Sequence, residues 1–126
     1  LNQAQESINF MAYSFTSDDM ANAIYARAKA GVEVAGVMDA SQIQSNIGTE
    51  YAFFKRKKLD VREDGNSGLM HHKVIIIDKK IVILGSYNFT ASAENNNDEN
   101  LLIIENSDLA AAYLAEFARL QDQAGN

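Results

Sequence analysis

The 126-residue sequence has no cysteine and no proline. Without cysteine there are no disulfides and no thiolate metal sites, and the compartment stays open. The only two histidines, His71 and His72, are neighbours. A three-histidine metal site is therefore excluded, while a carboxylate-only site is not. No apolar run approaches the roughly 18 residues that span a bilayer. No signal peptide is visible, since the start lacks a basic region followed by an apolar stretch. The chain opens on Leu1 rather than methionine, so an upstream part is expected to have been removed. A soluble chain is expected, with its localisation open. Cations are scarce: 11 Lys and Arg stand against 17 Asp and Glu, a net charge of −6. That is the wrong sign for a long, non-specific nucleic-acid footprint, although a local basic groove remains compatible with it. No repeat or low-complexity tract divides the chain. With 47% apolar and 22% charged residues, residues 1–126 read as one globular domain with its own core.

What is present is organised around residues 71–99. Two runs rich in Ile and Val, 74–77 and 81–84, flank Asp78-Lys79-Lys80. They are too short for helices and read as a hairpin. Folding about residues 79–80 puts Lys73 opposite Ser86 and His71 opposite Asn88, to within one residue. Positions two apart share a face of a strand, so His71 and Lys73 point one way together. A nucleophile, a cation and two neutral hydrogen-bonding groups then meet at the open end of the hairpin, a set suited to a phosphoryl group.

The spacing His-x-Lys-x4-Asp-x6-Gly-Ser-x-Asn is filled by His71, Lys73, Asp78, Gly85, Ser86 and Asn88, and it resembles the HKD motif of the phospholipase D superfamily. Six fixed residues are a specific signal. Tyr87-Asn88-Phe89-Thr90, Ala93-Glu94 and Asp98-Glu99-Asn100 are similar to the segment that follows the motif in the family's small bacterial nucleases. Residues 7–15 and 31–39 resemble the start of a family repeat. The resemblance implies a covalent phosphohistidine route without metal or cofactor. In that route one histidine attacks phosphorus and a histidine from a second motif protonates the leaving group. It implies that Glu99 is the carboxylate orienting the histidine. This chain carries one motif, so the second is expected from an identical subunit across a two-fold axis or from an upstream half of a longer protein.

Along the chain, residues 7–13 read as a strand, and Thr16 or Ser17 caps a helix carrying Asp18 and Asp19 in its first turn. Gly31 stops that helix, and residues 32–38 form a second strand, making a parallel crossover unit. Residues 40–48 read as a polar loop, 49–58 as a helix, 59–62 as a short strand and 63–68 as a turn cluster. Residues 101–104 read as a strand. Ser107 caps a last helix with Leu109, Ala112, Tyr113, Phe117 and Leu120 inward, ahead of a frayed tail at 121–126. Both hairpin strands are apolar on both faces and need cover on each side. The expected fold is α/β: a layered sandwich with a mixed β-sheet covered by helices on both faces, phospholipase D-like.

Within the motif, His71 is the expected nucleophile, with the structural histidine as its ordinary alternative. His72 faces the other side by parity and reads as partly buried and backbone-bonded, becoming the rival nucleophile if the register slips. Lys73 is expected to neutralise phosphate oxygens, with Ser86 and Asn88 donating to the same oxygens. Asp78 lies five residues beyond Lys73, about 16 Å along an extended strand. It reads as a structural residue of the turn, tying it down or pairing with Lys79 or Lys80; Gly85 is likewise structural. The basic run 55–58 could steer a polyanion or lipid headgroup, but four residues suit a solvated helix end better. Tyr13 and Asp39 end strands and border the site, with core edge as the ordinary alternative. Nucleic acid is the expected substrate, phospholipid headgroups the alternative, and a non-catalytic interaction module the rival from another class.

Overall fold

The computed structural model describes residues 1–45, 48–90, 93, 95 and 97–124. Six strands form one mixed sheet: β1 (Ser7–Ala12), β2 (Glu33–Met38), β3 (Asp60–Glu63), β4 (Lys73–Ile77), β5 (Ile81–Gly85) and β6 (Leu101–Glu105). Their order across the sheet is β3-β2-β1-β4-β5-β6. The β1 and β2 strands pair parallel, joined by α1 (Asp18–Lys29), so the expected crossover unit is present. From β1 to β6 every neighbour is antiparallel.

Strand parity divides the core into two layers. Ile8, Phe10, Ala12, Ile75 and Ile77 pack on α1 and α3 (Tyr51–Arg56) through Ala21, Ile24 and Phe54. Met11, Val74, Ile76 and Val82 pack on α4 (Ser107–Ala124) through Ala110, Phe117 and Leu120. Both faces of the hairpin are thus covered, as its apolar runs required. Cover stops at the edge strand: Leu101, Leu102 and Ile103 of β6 are 46%, 54% and 69% exposed.

Ser17 caps α1, its Oγ accepting from Met20 N at 3.3 Å. Four fully buried phenylalanines, Phe10, Phe15, Phe54 and Phe89, interlock at the end of the sheet where β1 and α1 meet. Their ring centroids lie 5.3 to 5.5 Å apart. Burying each ring is worth about 1.5–3 kcal/mol. Phe89 and Phe15 also bridge through backbone, and Phe89 O accepts from Thr16 N and Ser17 N. The segment after β5 is thereby anchored beside the end of β1.

Five expectations need correction. Residues 40–45 are not loop but a short helix, α2 (Ala40–Ser45). Asp39 caps it, with Gln42 N donating to Asp39 Oδ1 at 3.0 Å. The sequence Asp39-Ala40-Ser41-Gln42 has the form of a capping box, a signal outweighed by the lack of apolar residues. The cap of α4 is Asn106, whose Oδ1 accepts from Leu109 N at 3.0 Å; Ser107 is already helical. Ala110 rather than Ala112 faces the core. The helix continues to Ala124 through much of the expected frayed tail, and residues 125–126 lie outside the described residues. The helix expected at 49–58 is shorter, since Lys58 takes a positive φ of 61° and the chain turns into β3.

Candidate active site

The site lies at the end of the sheet where β1 finishes and β4 begins. Ala12 pairs with Lys73, and one step further Tyr13 N donates to His72 O at 2.9 Å. His71 and Lys73 share one face. Lys73 Nζ donates to His71 Nδ1 at 3.0 Å and to His71 O at 2.9 Å. The Tyr13 ring lies 4.5 Å from the imidazole, tilted by 55°, and Lys73 Nζ sits 5.4 Å over that ring. Burial lowers the Lys73 pKa, and the Glu99 charge nearby works against that shift.

The hairpin register pairs Val74 with Leu84 and Ile77 with Ile81, one residue from the central expectation and inside its range. Continued outward it sets Lys73 beside Gly85, but the ladder does not continue. At Gly85 φ is +152°, and a Cβ there would strike the Asn100 carbonyl oxygen. Only glycine suits both demands. Ser86 therefore turns to the 99–100 segment. Its N–H donates to Asn100 Oδ1 at 2.9 Å, its Oγ accepts from Asn100 N at 3.1 Å, and its hydroxyl donates to Glu99 Oε1. Asn88 sits at the same end, and its Oδ1 is buried without a hydrogen-bond partner among the described residues. The structure thus gathers Tyr13, His71 and Lys73 directly and brings Glu99, with Ser86 attached, within electrostatic reach of Lys73. Glu99 bonds Ser86, and no hydrogen bond between Glu99 and His71 is seen among the described residues.

His72 follows its parity, but its ring bonds a side-chain carboxylate rather than the expected backbone. Its Nε2 meets Glu116 Oε2 of α4 at 2.9 Å, on the Val74 and Ile76 side of the sheet. Arg119 donates to both Glu116 oxygens, at 2.7 and 3.0 Å. Arg119 first and then His72 draw the Glu116 pKa down to about 2, against burial. The imidazole–carboxylate pair on α4 therefore belongs to His72, and Glu116 had no sequence signal beyond its place on a helix. Asp78 is remote from His71 and Lys73. Its carboxylate accepts from Gln5 N, Glu6 N and Ser7 N at 3.0, 2.7 and 3.1 Å. It ties the hairpin turn to the start of β1 rather than pairing within the turn. The basic run closes α3: Lys57 Nζ lies 4.8 Å over the Tyr25 ring and Lys55 Nζ donates to Val61 O at 3.1 Å. Glu94 lies outside the described residues.

A family model described as "Cardiolipin synthase, PLD-like domain" matches residues 1–121. A phospholipase D of Rickettsia conorii is 40% identical over 114 residues, covering 90% of this chain and 56% of that protein. The mitochondrial cardiolipin hydrolase of Mus musculus is 33% identical over 120 residues, covering 95% and 54%. The chain thus spans about half the length of these curated relatives. Among solved structures, Nuc of Salmonella typhimurium, a phospholipase D family member, superposes with a TM-score of 0.92 at 35% identity, over 98% of this chain and 83% of its own. NucT of Helicobacter pylori superposes with a TM-score of 0.90 at 29% identity, over 97% and 82%. The chain belongs to the phospholipase D superfamily.

Proposed function

We propose that the protein is a metal-independent phosphodiesterase working through a covalent phosphohistidine. The carrying observation is the contact of Lys73 Nζ with His71 Nδ1 on one strand face, beside the Tyr13 ring. A phosphodiester entering here draws the ammonium onto its oxygens and frees the imidazole lone pair. His71 attacks phosphorus, the P–O bond to the leaving group breaks, and the departing oxygen takes a proton from a second histidine. Water then attacks the phosphohistidine, losing its proton to that same second histidine, and the P–N bond breaks to restore His71. Ser86 and Asn88 belong around the same oxygens, and Glu99, now bonded to Ser86, is the carboxylate available to orient the imidazole. Since one motif supplies one such histidine, the second comes from an identical subunit or an upstream half.

Nucleic acid is the first substrate, on the strength of the motif's flanking segment, which is similar to that of the family's small bacterial nucleases. Phospholipid headgroups are the second, favoured by relatives named phospholipase D and mitochondrial cardiolipin hydrolase. No helix among the described residues is long and apolar enough to cross a membrane.

The test is turnover of bis-p-nitrophenyl phosphate by the full-length protein in chelator, beside His71→Ala and His72→Ala. Chelator-resistant turnover lost only in His71→Ala is expected. Loss only in His72→Ala moves the nucleophile to the α4 side, and no turnover in a verified dimer favours an interaction module. Single-stranded DNA, RNA and phosphatidylcholine vesicles then separate the substrates.

A further inference from the structure

The Asp39–Gln42 box is wired unlike an ordinary helix cap. In an ordinary box the cap's carboxylate serves the first helical turn, and the side chain three residues on returns to the cap's own N–H. Here Asp39 N already donates to Ala12 O at 3.1 Å. The Gln42 side chain goes elsewhere: its Nε2 donates to Tyr13 Oη at 3.0 Å. Asp39, 1% exposed, divides its oxygens. Oδ1 serves α2, accepting from Gln42 N at 3.0 Å and Ser41 Oγ at 2.5 Å. Oδ2 leaves the helix and accepts from Met70 N at 2.8 Å, 31 residues away and immediately before His71. Asp64 backs the arrangement, accepting from Ala40 N at 2.7 Å while its own N–H donates to Met38 O. A buried carboxylate is tolerated only when it is fully bonded, and this one is bonded to the strand entrance that carries His71.

We propose that Asp39, Gln42 and Tyr13 are positioning residues for His71: Asp39 holds its backbone through Met70, and Gln42 holds its ring through the Tyr13 phenol. The assignment rests on His71 being the nucleophile. A phenyl-sized surface 4.5 Å from the imidazole limits its swing, while the Met70 bond sets where the ring starts. Attack on phosphorus is sensitive to such placement, and a displacement near 1 Å costs about 100-fold in rate.

The test compares Tyr13→Ala, Tyr13→Phe, Gln42→Met and Asp39→Asn with His71→Ala in the full-length protein on bis-p-nitrophenyl phosphate. Thermal melts certify folding, and NMR follows the His71 imidazole signal. Tyr13→Ala is expected to lose about 10- to 100-fold in kcat with KM nearly unchanged. Tyr13→Phe, which keeps the ring, recovers most of that loss. Gln42→Met gives a smaller kcat loss and a broadened His71 signal. Should Asp39→Asn fail to fold, the half-buried Gln42 and the Tyr13 pair decide the matter. Wild-type kcat in folded Tyr13→Ala and Gln42→Met, with His71→Ala inactive, overturns the positioning role and leaves the nucleophile standing. Turnover surviving in His71→Ala removes the nucleophile itself, and the proposal with it.

Discussion

At the scale of single residues, Asp78 shows how a motif position can serve the fold. Burial pushes its carboxyl up, but the N–H groups of Glu6, Ser7 and Gln5, with Lys80 nearby, outweigh that and hold it below its ordinary value. A carboxyl lowered in the native state adds stability above its unfolded pKa, and that stability is lost as pH falls through the folded one. Asp78→Asn keeps a residue that tolerates the positive φ of 54° found there, while removing the charge and one acceptor. It is expected to cost about 1–2 kcal/mol at neutral pH, shrinking in acid, with the folded variant's turnover at wild-type level. Urea unfolding at several pH values measures this; an undiminished gap in acid would show that charge is not the cause. Lost turnover in folded Asp78→Asn would bring the residue into the chemistry. The spacing from Lys73 already separated Asp78 from the phosphate in the sequence. Its partners at Gln5 to Ser7 were not legible, because they stand 71 to 73 positions away.

At the scale of elements, the strands and longer helices were legible because apolar residues recur with period two or near 3.6. Short α2 was not, having no buried residue to mark a face. The join between α3 and α1 is likewise set only by tertiary packing. Glu50, 5% exposed at the start of α3, faces Asp18 in the first turn of α1. Burial first, then the hydrogen bond and charge of Asp18, raise Glu50 to about 7, with Arg56 opposing. The native state therefore holds a proton that the unfolded chain releases near 4.5, and stability falls as pH rises through that window. Glu50→Gln keeps a donor toward Asp18 without the titration. It is expected to stabilise the protein by about 2 kcal/mol above pH 7, allowing for residual solvent contact, with little gain near pH 5. Melting temperatures across pH 5 to 8 decide it, and a gain independent of pH would refute the shared proton.

At the scale of the whole molecule, one imidazole faces the proposed phosphoryl pocket while the route needs two. Sedimentation of the full-length protein is expected to show a pair when no second motif lies upstream in the same chain. Mixing wild type with His71→Ala then lowers activity as the square of the wild-type fraction, since each site needs both histidines. A linear fall, or full activity from a one-motif monomer, would end the shared-site reading.

The sequence alone determined the hairpin, the shared face of His71 and Lys73, the opposite face of His72 and the two-sided apolar cover, because all of these follow from side-chain parity along a strand. Tertiary structure decided where the chain goes after Gly85, that Ser86 binds Glu99, that Glu116 takes His72, and that Asp39 reaches Met70. Those partners are distant in sequence, and hydrogen bonds between neutral or charged side chains leave no periodic trace. They form only once packing has set the strand ends side by side.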